Sequence, residues 1–479
     1  MRLHIILRYA GIILLVNAAF LFISAGISFM NGDSAFFPLV YTCIITVLFG
    51  VFPLVFVPPT DEISNKEGFA ILVSSWLLAC LFGMVPYVMW GGEFSIINAW
   101  FESVSGFTTT GSSILTDIEA LPVGLLFWRS ATHWIGGVGI IIFALSVMPS
   151  MGKVGMALYR KEVSPLAALN FTLRTRQILK LILYVYVGLT ALQSIALMFC
   201  GMSVFDAITH SFATIATGGF STKNASVAFY NSVAVEIVIM IFMVLSGINF
   251  GLLFAAISGN VSALFKSTVL RYYLIALFAG ILLATFNIHG TVYAGWMESI
   301  RYASFQIISV GTSTGFATTD TNIWPSFTQL LILFFILQCA CSGSTSGGIK
   351  ADRAVLIWSA IKNRIIKIRH PHAVTAAKID YIAIDDDVLD SSLLFTLLYI
   401  MIVFLSAILI CGMGVDIMTA FSASAATMGN VGPGFGLVGT VYNFGLLPEP
   451  AKWILSGNML LGRLEIYGIL LFVLIKFWK

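Results

Sequence analysis

The chain has 479 residues, of which 59% are hydrophobic and only 10% are charged, and its formal net charge is +3. A soluble domain has roughly 25% charged residues, so this chain could not cover its surface with polar groups in water. The composition excludes an ordinary soluble protein and makes the lipid bilayer the solvent for most of the sequence. The small net charge also indicates no nucleic-acid partner.

Ten segments are apolar enough and long enough to cross a bilayer, which takes about 20 residues. We predict them at 5–29, 37–57, 69–90, 121–148, 178–200, 232–257, 270–288, 325–358, 392–412 and 450–477. The segments 325–358 and 450–477 are too long for one span and are interrupted. No cleavage-site pattern follows the first segment, so we interpret it as a span rather than a signal peptide. The sequence therefore predicts an all-α integral membrane protein with about ten transmembrane helices.

Basic residues concentrate in alternate connections between these spans. Segment 152–180 contains six Lys or Arg residues and one acid, and segment 350–378 contains seven and one. Cytoplasmic connections of membrane proteins carry such an excess of positive charge. Both termini are basic as well, and an even number of spans places them on one side. We expect both termini and these two segments in the cytoplasm.

The four connections on the opposite side are longer than simple turns and rich in Gly, Ser and Thr. Each opens with an apolar stretch that is too short to span: IINAWFESVSGF, VFDAITHSFATI, ESIRYASFQIISV and DIMTAFSASAAT. Such stretches suit re-entrant segments. Irregular backbone at membrane depth is tolerated only where it is buried in protein or lines a watery cavity, so four of these segments imply one shared cavity.

The four connections are also copies of one another, because each short helix is followed by a hydroxyl residue, any residue and a glycine. The copies are Thr109-Thr110-Gly111, Thr217-Gly218-Gly219, Ser313-Thr314-Gly315 and Thr427-Met428-Gly429. A single copy is a weak signal, and four ordinary external turns are the alternative. Four copies between successive spans predict four pseudo-repeats of helix, pore loop and helix around a central pore. We place the repeats at 68–151, 152–260, 261–380 and 381–479, after a two-helix extension at 1–67.

Thirteen residues before these glycines lie Asn98, Asp206, Tyr302 and Asp416. Asn and Asp are common N-cap residues, so we expect the short helices to begin there. Tyr302 does not fit, and the third short helix is expected to begin earlier, near Glu298.

This pattern points to the chemistry of a dehydrated monovalent cation. Backbone carbonyl groups of four converging loops can replace the water around such an ion. Glycine permits the left-handed backbone that aims carbonyl groups inward, and Thr or Ser can add a hydroxyl oxygen. We therefore expect a monovalent cation as the transported ion, bound at the four motifs, and no covalently bound cofactor.

The chain resembles the Trk/Ktr/HKT superfamily of potassium and sodium transporters. The motifs HWIGGVGI (133–140), CSGSTSGGIK (341–350) and MLLGRLEIY (459–467) are similar to those of its bacterial Trk-type membrane subunit. The resemblance implies potassium uptake across a bacterial inner membrane by a homodimer with one pore per subunit. It also implies a TrkA-like cytoplasmic regulatory ring that binds nucleotides. Glycine at all four motif positions is similar to the potassium-selective pattern, although Ser112 and Asn430 stand where the middle copies have Phe220 and Phe316.

Two further features are candidates for a gate. The first is the run Gly343, Ser344, Thr345, Ser346, Gly347 and Gly348, which interrupts a helix at membrane depth. It is either a flexible intramembrane loop beneath the filter or a packing kink between close helices. The second is Arg463, about 24 Å along a helix from the C-terminus. It is either an electrostatic barrier to cations or the structural partner of an acid on another helix.

The remaining charges at membrane depth are expected to form pairs between helices rather than to bind the ion. They are Arg129, His133, Glu236, Lys350 and Glu465. A secondary transporter with a site at the membrane midplane and a non-conducting membrane scaffold remain alternatives. An enzyme is not expected, because the sequence contains no nucleophile–base pair and no phosphate-binding glycine loop.

Overall fold

The described part of the chain is built almost entirely from helices. The computed structural model describes residues 2–59, 64–147, 171–338, 340–370, 378–380, 382–384 and 386–473. The α-helices, numbered in chain order, are α1 Leu3–Asn31, α2 Phe36–Phe56, α3 Asn65–Trp90, α4 Ile96–Phe107, α5 Val123–Val147, α6 Phe171–Phe199, α7 Val204–Ile215, α8 Val233–Ser246, α9 Phe250–Ile257, α10 Ser262–Lys266, α11 Thr268–Ile288, α12 Trp296–Gly311, α13 Ser326–Leu337, α14 Ala351–Arg369, α15 Asp386–Cys411, α16 Ile417–Met428, α17 Glu449–Arg463 and α18 Glu465–Val473. Short 3-10 helices lie at Ser226–Tyr230, Thr321–Ile323, Gly436–Val438 and Phe444–Leu446, and a two-strand hairpin pairs Lys378–Ile379 with Ile382–Ala383.

Within these ranges, six helices are long and apolar enough to cross a membrane, or seven if α8 and α9 count as one bent span. The other predicted spans correspond to α5 and to the broken pairs α13–α14 and α17–α18. The basic segment 152–170 and the C-terminal residues 474–479 lie outside the described residues. The predicted fold class, an all-α membrane protein with four pseudo-repeats, is confirmed.

Each repeat consists of an outer helix, a short pore helix and an inner helix. The pore helices α4, α7, α12 and α16 contain 12, 12, 16 and 12 residues. At about 1.5 Å per residue they reach only partway through a bilayer, as the sequence predicts for re-entrant segments. Helices α1 and α2 precede the first repeat and cross closely, because a Cβ on Gly11 would lie 2.6 Å from the Gly50 carbonyl oxygen.

The first two pore helices begin three residues earlier than the sequence pattern suggests. Ser95 and Ser203 are the N-caps of α4 and α7, and their side chains accept hydrogen bonds from the backbone amides of Asn98 and Asp206. Asn98 and Asp206 therefore lie in the first turn rather than at the cap. Asp416 is the N-cap of α16, as predicted. The third pore helix begins at Trp296, close to the expected start near Glu298.

Three of the four inner helices are broken. The predicted span 232–257 is two helices, α8 and α9, which meet at 103°. Helix α8 ends at Ser246, and Asn249 starts the next helix, because its side chain accepts hydrogen bonds from the amides of Gly251 and Leu252. The span 325–358 consists of α13 and α14 with residues 338–350 between them, and α17 and α18 are separated at Leu464. The two predicted interruptions are thus present, and the break in the second repeat is an additional one.

Candidate functional site: four loops around one axis

The four pore helices end in the same backbone conformation. Thr109, Thr217, Ser313 and Asn430 have φ of 52°, 53°, 55° and 52°, in the left-handed region. Each of these residues donates its amide to the carbonyl group three residues earlier, and the next residue donates to the carbonyl group five residues earlier. This left-handed cap satisfies carbonyl groups that the helix would otherwise leave open. It turns the chain sharply toward the glycine that follows.

That glycine packs against the neighbouring loop in all four repeats, and the contacts close into a ring. A Cβ added to Gly111 would lie 2.1 Å from the carbonyl oxygen of Gly218, and one added to Gly219 would lie 2.1 Å from that of Thr314. A Cβ added to Gly315 would lie 2.1 Å from the carbonyl oxygen of Val431, and one added to Gly432 would lie 2.7 Å from that of Thr110. The glycines have φ of 82°, 81°, 81° and 100°. A side chain at any of them would be strained and would collide with the next loop. Four equivalent carbonyl oxygens are therefore brought together around one axis.

The fourth motif assigned from the sequence is wrong by three residues. Helix α16 continues through Thr427 and Met428, and Gly429 is its right-handed C-cap with φ of −77°. Asn430-Val431-Gly432 occupies the position that Thr109-Thr110-Gly111 occupies in the first repeat. The T-x-G letters at 427–429 belong to the last helical turn, because Thr and Gly are common at helix ends as well as in loops.

The number of residues from the N-cap of a pore helix to its ring glycine is the same in three of the four repeats. Ser95 precedes Gly111 by 16 residues, Ser203 precedes Gly219 by 16, and Asp416 precedes Gly432 by 16. In the fourth loop the ring glycine is therefore located correctly from the start of its pore helix, whereas in the third repeat, where the longer helix has its N-cap at Gly295, the three-letter motif locates it. In this register Pro433, and not Asn430, follows the ring glycine of the fourth loop.

Side chains behind the ring tie adjacent loops together. Ser112 donates to the carbonyl oxygen of Gly432 at 3.0 Å, and the Asn430 amide donates to Thr110 Oγ1 at 3.0 Å. Ser112, which departs from the phenylalanine of the middle repeats, thus joins the first loop to the fourth. The ring is closed by hydrogen bonds at the junction where the chain's first and last repeats meet.

A cavity of about 90 Å³ opens on one side of the ring. It is lined by the four ring glycines and by residues that follow them, including Arg129, Phe220, Lys223 and Thr440. At its rim, Asn224 donates to Asp117 at 2.8 Å and lowers the pKa of that carboxyl group. Sequence reasoning identified three of the ring glycines in this lining but not Lys223 or Thr440, because the lining residues come from separate connections.

The loop 341–348 lies on the other side of the ring, against residues that precede the glycines. Thr345 Oγ1 donates to the carbonyl oxygen of Ile215, at the end of α7, at 2.9 Å. The Gly347 amide donates to Ser313 Oγ at 3.2 Å. A Cβ on Gly347 would lie 2.7 Å from the Gly429 oxygen. The loop is therefore packed directly against the inner ends of three repeats.

The bent inner helix of the second repeat holds the start of this loop. The Asn249 amide donates to the carbonyl oxygen of Ser342 at 2.9 Å, and the Phe250 amide donates to that of Gly343 at 3.0 Å. A Cβ on Gly343 would lie 2.3 Å from Asn249 Nδ2, and the φ of Gly343 is 75°. The glycines of this segment thus permit close backbone packing in an ordered loop.

Arg463 is buried at 2% exposure and contacts the same loop. Its guanidinium donates to the carbonyl oxygens of Thr345 at 2.5 Å and Gly136 at 3.1 Å. Within the described ranges no carboxylate forms an ion pair with it, and its Nε has no hydrogen-bond partner there. In the described part of the chain no acid pairs with Arg463, so the alternative of a structural pair has no support there, and no carboxylate of those ranges balances its charge.

Of the five other charges expected to pair between helices, Arg129, Glu236, Lys350 and Glu465 do so, whereas His133 bonds to backbone groups instead. Arg129 pairs with Glu102 of α4 at 2.8 Å, with both side chains buried. Arg301 of α12 pairs with Glu236 at 2.7 Å. Glu465 pairs with Arg353 at 2.8 Å and with Lys350 at 3.6 Å, and so joins the end of the loop to α18.

Comparison with known proteins agrees with this architecture. The family model TrkH, described as cation transport protein, matches residues 37–478. The Trk system potassium uptake protein TrkH of Halomonas elongata is 34% identical over 485 residues, with 100% of both chains covered. The protein of the same name from Escherichia coli is 36% identical over 422 residues and covers 87% of each chain. The crystal structure of the potassium transporter TrkH from Vibrio parahaemolyticus matches with a TM-score of 0.91 at 32% identity, over 100% of both chains. The chain belongs to the TrkH family of cation transport proteins.

Proposed function

We propose that this protein takes up potassium ions across a bacterial inner membrane through the ring of four loops. The observation that carries the proposal is the closed ring of backbone carbonyl oxygens, to which one chain contributes all four loops. Relatives named as potassium uptake proteins support potassium as the ion. The protein is a transporter in which the chemistry is coordination rather than catalysis.

The selectivity filter in this proposal consists of the loop residues at and before each ring glycine. They are Thr109, Thr110, Gly111, Thr217, Gly218, Gly219, Ser313, Thr314, Gly315, Asn430, Val431 and Gly432. None of these residues has a carboxylate, which favours a singly charged ion over calcium or magnesium. The C-terminal ends of four pore helices point at the ring, and their partial negative charge attracts a cation.

The gate in this proposal is the loop 343–348 together with Arg463. The loop is packed against the inner ends of the second, third and fourth repeats, in the path below the ring. Arg463 adds a positive charge at the loop itself, through its bond to the Thr345 carbonyl group. Opening of the gate requires that this loop and the Arg463 side chain both move away from the axis of the ring.

The assembly is proposed from the family resemblance and from the charge pattern. The chain forms a homodimer with one pore per subunit, and both termini face the cytoplasm. A TrkA-like nucleotide-binding ring contacts the cytoplasmic side, where α14 has several exposed basic residues. Such a ring would act on the gate through α14, because this helix begins directly after the intramembrane loop.

Rubidium uptake by the purified protein in liposomes tests this function. We expect uptake of radioactive rubidium that unlabelled potassium competes with and that sodium competes with weakly. A Gly188→Ala variant is the matched control, because that glycine lies on α6 with no atom within 4 Å of its built Cβ. Folded protein that transports no rubidium would contradict the proposal. Uptake that strictly requires a proton or sodium gradient would favour a coupled secondary transporter.

A further inference from the structure

The four loops are not stabilised in the same way. In the first and third loops, two threonine hydroxyl groups bond to each other behind the ring, Thr108 with Thr110 and Thr312 with Thr314, each at 2.8 Å. The second loop has Ala216 and Gly218 at these positions and lacks both hydroxyl groups. A different group must therefore hold the backbone of the second loop.

The imidazole ring of His133, on the inner helix of the first repeat, fills the space beside Gly218. A Cβ on Gly218 would lie 2.5 Å from the Cγ and Cδ2 atoms of His133. His133 Nε2 accepts a hydrogen bond from the Phe220 amide at 3.2 Å, and Nδ1 bonds to the Gly106 carbonyl oxygen at 2.7 Å. The imidazole thus links the end of the first pore helix to the residue after the second ring glycine.

These two partners determine the protonation state of the imidazole. An amide N–H can only donate, so Nε2 must carry a lone pair, and a carbonyl oxygen can only accept, so Nδ1 must carry the proton. His133 is therefore neutral in this arrangement. Charged histidine would have no acceptor for the Phe220 amide, and a buried amide without a partner is costly.

Arg129 lies one helical turn before His133 and contacts the same phenylalanine. The guanidinium carbon of Arg129 is 4.1 Å from the centroid of the Phe220 ring, and the imidazole centroid of His133 is 4.2 Å from it. Arg129 also donates to the Ser221 carbonyl oxygen at 3.3 Å. The charge of Arg129 is balanced by Glu102 on the first pore helix. The contact of Arg129 with Phe220 is therefore held from the first repeat.

We propose that Arg129 and His133 are positioning residues that hold the second filter loop in register with the first and thereby set the selectivity for potassium over sodium. The inference rests on the proposed function, because it assigns a role within the same ring. Neither side chain needs to touch the ion. They act on the Phe220 backbone, which follows Gly219 directly and so controls where the carbonyl oxygen of Gly218 lies.

The test uses His133, because removing Arg129 would leave the buried Glu102 without its ion-pair partner and would destabilise the whole chain. In His133→Leu the side chain keeps a similar volume but loses both hydrogen bonds. We expect the rubidium-to-sodium flux ratio to fall about tenfold, the change that about 1.4 kcal/mol produces. His133→Gln should recover most of the ratio, because its amide has a donor and an acceptor at nearly the imidazole spacing.

His289→Ala is the matched control for loss of an imidazole, since His289 stacks on Trp296 at the outer end of α11, away from the ring. If His133→Leu does not yield folded protein, Phe220→Leu removes the stacking partner while the imidazole stays, and it should lower the ratio as well. A wild-type protein without rubidium flux would defeat the proposed function itself. Selective wild-type flux with an unchanged ratio in a folded His133→Leu or Phe220→Leu variant would overturn only this inference.

Discussion

Alanine substitutions at Gly432 and Gly429 distinguish the two possible registers of the fourth loop. At Gly432 the φ of 100° is unfavourable for any L side chain, and the built Cβ lies 2.7 Å from the Thr110 oxygen, against 3.4–4 Å for ordinary contact. Such backbone strain costs about 1–3 kcal/mol. If about 1.4 kcal/mol of it falls on potassium coordination, selectivity over sodium drops tenfold.

Gly429→Ala should behave differently, although its built Cβ is also close to a neighbour. Its φ of −77° suits any residue, and the collision is with the carbonyl oxygen of Ile336 on α13, at 2.5 Å. Most of the strain therefore falls on the packing of α13 against α16, and only the looser approach to the Val431 side chain, at 3.2 Å, involves a ring loop. We expect lower thermal stability for this variant, with a flux ratio near that of the wild type.

The assay is the rubidium-to-sodium flux ratio in liposomes, normalised to folded protein by size-exclusion yield. Gly188→Ala serves again as the control for a glycine-to-alanine change in an open helical position, where alanine raises helix stability by about 1 kcal/mol. The ring register would be refuted if Gly429→Ala lowered the ratio and a well-folded Gly432→Ala did not.

Arg463→Ala should raise basal rubidium flux by about 5- to 150-fold, the effect of lowering a barrier by roughly 1–3 kcal/mol; unchanged flux per folded protein would contradict the barrier. Arg129→Gln should lower the stability of the protein by about 3–5 kcal/mol, because Glu102 stays buried without its partner, and thermal unfolding measures this loss. A cysteine introduced at Lys367 should react with a membrane-impermeant thiol reagent only from the cytoplasm, and one introduced at Asn224 only from outside. Labelling of both cysteines from one side would contradict the proposed orientation of the chain in the membrane.

The overall architecture was readable from the sequence because the bilayer imposes strong constraints. A span needs about 20 apolar residues, so composition and length alone located the outer helices. Fourfold repetition was visible from the short apolar stretches. The interruptions at 341–348 and near Arg463 were visible too, because glycines and a charge are costly inside a membrane helix.

Two errors in the prediction have the same physical origin. The fourth motif was assigned to Thr427-Met428-Gly429, and the span 232–257 was predicted to be continuous. In both cases the deciding factor is where a helix ends. Helix α16 continues to Met428 and α8 already ends at Ser246, and the sequence pattern alone does not locate these helix ends.

The sequence by itself determined that this chain is a membrane protein and that it repeats a helix–loop–helix unit four times, and it pointed to the glycine-rich loops as the candidate site. Only the tertiary structure decided which glycine of the fourth loop joins the ring and that Arg463 bonds to the Thr345 carbonyl group and pairs with no carboxylate in the described ranges. It also decided that His133 supports the loop of the neighbouring repeat. These outcomes depend on contacts between residues about 90 to 330 positions apart, and local spacing along the chain contains no information about such distances. Apolar length and short motifs are local properties, whereas the closure of a ring is a property of the whole fold.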